Sequence, residues 1–299
     1  LMPLRILVTL GALLFTAGPL GAQSPPAGRQ VLLAGGLQRS YLLHLPVSPP
    51  ADSLAVLLVF HGAGGDAAGM AEHTGLTAAA TARGYAVIYP EGVGRRWSDG
   101  RAARAGADDV GFVRLLLDSL ARSLPVNPRR VYATGISNGA GLVLRLACDL
   151  PGTFAAIAPV AGALPGELEQ RCASATPVSV LMFQGTRDRL MPYDGGALSL
   201  ARGRVLPAPA TAELFARAGG CSAEPAVTAE PDTVADGTRT RRSTWSGCRD
   251  GREMVLLTIE GGGHTWPGGP PVGRSVGRVA RDIHATSLML DFFDRHPRP

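Results

Sequence analysis

From residue 55 the chain alternates unbroken apolar runs with stretches of helical spacing. The runs are Ala55–Phe60, Tyr85–Tyr89, Ala155–Val160 and Val178–Phe183, and Arg130–Thr134 and Met254–Ile259 read as further strands. They lack the in-out alternation of a half-solvated strand, which predicts strands buried on both faces. Val110–Leu124, Ala140–Leu150, Thr211–Ala218 and Val276–Arg295 carry helical spacing, the first with Asp108 or Asp109 as its N-cap. Upstream, Val31–Ala34 and Tyr41–Leu45 flank Gly35-Gly36, which predicts an antiparallel hairpin at a sheet edge. The alternation implies an α/β fold, a mostly parallel central sheet with helices on both faces. Residues 222–245 are polar and rich in Thr and Glu, and read as an excursion held by a disulfide. There is no internal repeat and no linker between two cores, so residues 30–299 are expected to form one domain behind a polar leader, 23–29.

The first 22 residues read differently. Arg5 precedes a short apolar run, Ile6–Phe15, and Leu20-Gly21-Ala22 supplies small residues before Gln23. This is the pattern of a secretory signal peptide, residues 1–22. The run is too short for a bilayer span, which needs about 20 residues, so no stable membrane insertion is expected. Export to the periplasm or the extracellular space also suits the cysteines. Cys148, Cys172, Cys221 and Cys248 are even in number and lack C-x-x-C spacing, so disulfides are expected and a metal site is not. Three pairings are open, and neighbour pairing, Cys148–Cys172 and Cys221–Cys248, closes loops of moderate length. At 299 residues, 45% hydrophobic and 18% charged, the chain buries a large core. All 29 basic residues are Arg, and the net charge of +5 is scattered without aromatic interleaving. Nucleic-acid binding is therefore not expected.

Candidate chemistry starts at Gly135-Ile136-Ser137-Asn138-Gly139, a G-x-S-x-G between a predicted strand and a predicted helix. Such a turn lifts Ser137 clear of the sheet, and its glycines avoid collision with the backbone opposite. A serine hydroxyl needs an imidazole to take its proton, and the imidazole needs a carboxylate to orient it. His264, in the loop Gly261–Gly269 after a strand, is the candidate base. His284 and His296 belong to the last predicted helix. Asp188 follows the strand Val178–Phe183 and is the candidate acid, with Asp194 as runner-up. The loop His61-Gly62-Ala63-Gly64-Gly65 supplies a backbone N–H at Ala63 for an oxyanion hole, and Asn138 the second. His61 is expected to brace that loop. No metal and no organic cofactor is implied.

Together these stretches resemble the polyhydroxybutyrate depolymerase-like esterases, a family that includes bacterial feruloyl and acetylxylan esterases. The residues that carry the resemblance are Phe60–Gly62, Tyr89–Gly92 with Trp97, and Asp108–Phe112. Arg130–Gly139, Ala158–Gly162, Gly185–Asp188 with Pro192–Gly196, and Gly262–Gly268 complete it. The segment His264-Thr265-Trp266-Pro267-Gly268 is the most specific. The chain has Gln184 where members often carry His. The resemblance implies an α/β-hydrolase fold and a secreted serine carboxylic ester hydrolase working through an acyl-Ser137 intermediate. It also implies that Trp97 and Tyr193, with Trp266, line a substrate pocket suited to a flat acyl group such as ferulate. The substrate is expected to be a small-molecule, polysaccharide-linked or oligomeric ester, and soluble esters are favoured because no separate polyester-binding module is seen. No obligate protein partner is implied. The rival readings are a serine peptidase of the same fold and a non-catalytic binding protein built on it.

Overall fold

A computed structural model describes residues 28–48, 53–102, 106–198 and 203–299. The expected signal peptide, 1–22, and the leader up to residue 27 lie outside the described residues. The last two leader positions, Gly28 and Arg29, already belong to a strand.

The strands are β1 (Gly28–Ala34), β2 (Leu37–His44), β3 (Leu54–Phe60), β4 (Tyr85–Pro90), β5 (Val126–Ile136), β6 (Ala156–Val160), β7 (Ser179–Gly185), β8 (Gly196–Ala197), β9 (Arg204–Val205), β10 (Ala226–Ala229), β11 (Arg239–Trp245) and β12 (Met254–Glu260). The helices are α1 (Ala67–Thr74), α2 (Leu76–Thr81), α3 (Asp109–Ser123), α4 (Asn138–Asp149), α5 (Glu169–Ala173), α6 (Ala208–Gly219) and α7 (Ala285–Arg295). One sheet runs in the order β1-β2-β4-β3-β5-β6-β7-β12-β11-β10. Its centre, β4 to β12, is parallel, and an antiparallel ribbon finishes each edge.

Strand β3 shows why the apolar runs are unbroken. Leu54, Val56, Leu58 and Phe60 enter a core shared with α3, α4 and α6. Ala55, Leu57 and Val59 enter a second core shared with α1, α2 and α7. Both faces are covered, so neither set can be polar. Asp108 caps α3, its side chain accepting the Gly111 N–H at 2.8 Å. The cysteines pair as Cys148–Cys172, which joins α4 to α5, and Cys221–Cys248, which joins the end of α6 to the β11–β12 turn.

Two expectations about the chain path need correction. Residues 222–245 are not an excursion, because β10 and β11 extend the main sheet. The closing helix begins at Ala285 and not at Val276. Residues 262–284 instead fold back as a strap, in which Gly277 takes φ 96° and a Cβ on it would lie 2.8 Å from the Gly263 Cα. Helices α1 and α2 carry no strong periodicity, but their punctuation is visible: Asp66 accepts the Gly69 N–H, and Gly75 ends α1 at φ 62°.

Candidate active site

The carboxyl ends of β3, β5, β6, β7 and β12 lie side by side, and the loops that leave β3, β5, β7 and β12 meet at one cleft. Ser137 stands between β5 and α4 at φ 58°, ψ −120°, a strained conformation for a residue with a Cβ. Its N–H donates to the Val160 carbonyl at 3.0 Å. The flanking glycines are sterically required. A Cβ on Gly135 would lie 2.8 Å from the Phe60 carbonyl oxygen, and one on Gly139 would lie 2.6 Å from that of His61.

His264 leaves the end of β12. Its Nδ1 lies 2.7 Å from Asp188 Oδ2, and the Asp188 side chain is fully buried. A carboxylate accepts, so Nδ1 carries the proton and Nε2 keeps its lone pair. Asp188 Oδ1 accepts the N–H groups of Leu190 and Met191, both at 2.8 Å, which fixes the carboxylate. Gln184 donates to the Met191 carbonyl at 2.7 Å and so steadies the same turn. Asp194, the runner-up, is exposed, and the carboxylate bonded to His264 is that of Asp188. His284 stands at the N-cap of α7, and His296, just beyond its end, bonds the Phe292 carbonyl.

Ser137 and His264 share a cavity of about 430 Å³ with Ala63 and Asn138. The Ala63 N–H has no protein partner among the described residues. Asn138 is the first residue of α4, where a helix leaves an N–H without an intrahelical acceptor. Its side chain is fully engaged. Oδ1 accepts the Trp97 N–H at 2.7 Å, and Nδ2 donates to the Trp97 carbonyl and to Asp99 Oδ2 at 3.0 and 2.6 Å. Asp99 in turn pairs with Arg101, both buried. His61 does brace its loop. Nδ1 donates to the Gly62 carbonyl at 2.8 Å, and Nε2 accepts the Gly92 N–H at 3.1 Å. That pattern requires a neutral ring, and burial pushes its pKa below the ordinary 6.5.

The three aromatic residues expected to line the pocket do not. Trp97 and Trp266 are each 1% exposed. The Trp97 indole N–H donates to the His61 carbonyl at 2.8 Å, and that of Trp266 to Thr286 Oγ1 at 3.1 Å. Tyr193 packs on the α3/α4/α6 core with its hydroxyl 2.9 Å from Thr258 Oγ1. The rings are satisfied inside the protein, which is why they brace the loops from behind. The apolar wall comes instead from Met70, Leu190, Met191, Leu198, Val272 and Val276. Sequence reasoning missed Met70 because α1 lacks a clear apolar stripe. It missed Val272 and Val276 because the strap was assigned partly to a helix. Among the described residues no cluster of His, Cys, Asp and Glu is arranged to hold a metal ion, and no helix is long and apolar enough to cross a membrane.

Comparison with known proteins shows what the chain is similar to. Residues 39–198 match the family model described as esterase PHB depolymerase. The chain is 38% identical over 288 residues to "Putative esterase NocK" of Nocardia uniformis subsp. tsuyamanensis, covering 91% of this chain and 83% of the relative. It is 29% identical over 236 residues to feruloyl esterase B of Piromyces equi, a match that takes in 76% of this chain but only 42% of that longer protein. Among solved structures, acetyl xylan esterase from Aspergillus awamori superposes with a TM-score of 0.59 over 89% of this chain and 99% of that one. At 14% identity that likeness is one of fold, the α/β-hydrolase fold.

Proposed function

We propose a serine mechanism for this chain, which belongs to the esterase PHB depolymerase family and is a carboxylic ester hydrolase. In this reading Ser137 Oγ attacks the ester carbonyl while His264 Nε2 takes its proton. Asp188 holds the imidazole in the required tautomer and stabilises the imidazolium. The N–H groups of Ala63 and Asn138 bind the charge that develops on the carbonyl oxygen, each worth about 10²–10³ in rate. His264 then returns its proton to the leaving alcohol. Water, activated by the same imidazole, hydrolyses acyl-Ser137 and frees the acid.

One observation carries the reading. A serine at a positive-φ strand-to-helix turn shares a single cavity with an imidazole bonded at 2.7 Å to a buried carboxylate. Ser137→Ala tests it, with loss of turnover and of organophosphonate labelling as the expected result. Full activity in that variant would overturn it.

For substrates we infer small esters and esters linked to polysaccharide. The relatives named as feruloyl esterases support hydroxycinnamate esters. The cavity itself supports a second reading, an aliphatic acyl group, because its apolar wall is made of Met, Leu and Val side chains without an aromatic ring. A panel of methyl ferulate, acetylated xylan, short p-nitrophenyl esters, hydroxybutyrate oligomers and aminoacyl anilides separates the readings. Dominant anilide cleavage would restore the peptidase. Export, with removal of residues 1–22, is part of the proposal, and the two disulfides support it.

A further inference from the structure

The turn after β4 contains an unexplained cost. Arg95 adopts φ 58°, in the left-handed region that a residue with a Cβ avoids, directly after Gly94 at φ 60°. Glycine would sit there without strain. The residue makes three-way use of the position, once through its backbone and twice through its side chain. The Arg95 carbonyl accepts the Gly64 N–H at 2.7 Å. Its Nε donates to the Gly65 carbonyl at 3.1 Å, and its Nη2 to Asp66 Oδ2 at 3.0 Å. One residue thus holds three consecutive residues of the loop that contains Ala63. From the other end, the Gly92 N–H bonds to His61 Nε2. The turn 92–95 and the loop 61–66 are stitched at both ends, and Ala63 lies at the centre with its N–H unspent.

Stability does not account for this arrangement. The Arg95 and Asp66 side chains are 61% and 42% exposed, and pairs in that setting contribute little. Strain held without a stability return is a feature of functional sites. We propose that Arg95 is a positioning residue that aims the Ala63 N–H at the developing oxyanion, with Asp66 as its anchor. The proposal rests on the oxyanion assignment made above. Arg95 and Asp66 border the cavity, but in this proposal Arg95 acts through the loop, so its loss weakens binding of the transition state more than binding of the ester.

The test is Arg95→Gly, which accepts the backbone angle, keeps the carbonyl bond to Gly64 and removes both guanidinium contacts. The expected result is a fall in kcat of about tenfold with KM changed less than about twofold. The affinity of a trifluoromethyl ketone, which forms a tetrahedral adduct, falls by the same factor as kcat/KM. Arg95→Lys restores charge near Asp66 but not the planar pair of donors, and recovers kcat only in part. Asp66→Asn keeps the oxygen that caps α1 and loses the ion pair, giving a smaller fall with the same kcat-specific pattern. It carries the test should Arg95→Gly fail to fold. A raised KM with unchanged kcat would make Arg95 a ground-state binding residue and overturn the proposal, as would an unchanged ketone affinity. Turnover in Ser137→Ala would instead overturn the serine mechanism, so the two failures are distinguishable.

Discussion

The two sides of the cleft are held by different means. On the serine side, Ser137, Asn138 and the 61–66 loop are fixed by steric contacts at Gly135 and Gly139 and by side-chain bonds from His61, Arg95, Trp97 and Asp99. On the histidine side, His264 rides on a long return. Its N–H and that of Gly263 donate to the Val276 and Arg278 carbonyls of the strap, and Val272 is 49% exposed. Each side has one disulfide: Cys148–Cys172 behind Ser137, and Cys221–Cys248 beside the start of β12. The contrast teaches that Ser137, Asn138 and the 61–66 loop are set by packing, while His264, the proposed proton carrier, is set by a strap that also forms the pocket wall.

The largest effect belongs to the chemistry shared by both sides. Ser137→Ala is expected to lower kcat at least about 10⁴-fold, His264→Ala nearly as much, and Asp188→Asn about 10³–10⁴-fold, with the fold intact by circular dichroism. Asp194→Asn should remain near wild type, and a larger loss there than at Asp188 would move the acid.

Glycine replacement then separates the sides. Gly139→Ala drives a Cβ against the Phe60 and His61 carbonyls, so folding and activity should fail together. Gly277→Ala should shift the strap, cutting kcat and altering acyl preference while the melting temperature falls much less. Equal melting losses in the two variants would erase the distinction.

The disulfides refine it. Replacing Cys148 and Cys172 by Ala should cost about 2–5 kcal/mol of global stability by urea titration. Replacing Cys221 and Cys248 should make activity fail at a lower temperature than bulk structure, because β12 delivers His264. Coincident loss in both variants would break the comparison.

The smallest effect is pH dependence. Burial holds His61 below its ordinary pKa of 6.5, and burial does the same to His44, His73 and His296. On acidification the unfolded chain therefore binds protons first. Stability should be complete above about pH 6.5 and drain as pH falls through the depressed folded values. His61→Gln should flatten this slope in urea midpoints measured between pH 7.5 and 5, and an unchanged slope would exclude His61 as a contributor.

Much of this was legible in the sequence. The parallel strands showed as unbroken runs because both faces of β3 are covered. Ser137, Asp188 and His264 showed because each follows such a run. The aromatic residues misled, since a ring suits a substrate wall and a core equally, and only the path of the loops turns Trp97 toward His61 and Trp266 toward Thr286. The strap was hidden for a related reason. Its shape comes from a backbone contact between Gly263 and Gly277, and no local periodicity records a contact across fourteen positions.

The cysteine pairing has a consequence for how the chain is made. Cys148 joins the next cysteine along, and Cys221 the next after it, at separations of 24 and 27 residues. In a chain that emerges amino end first, each thiol meets its native partner before any later one has appeared. An oxidant that simply joins successive cysteines as they arrive produces the native bonds, the first behind Ser137 and the second beside the strand that leads to His264. Biosynthetic order and final architecture coincide, and no wrong bond has to be undone.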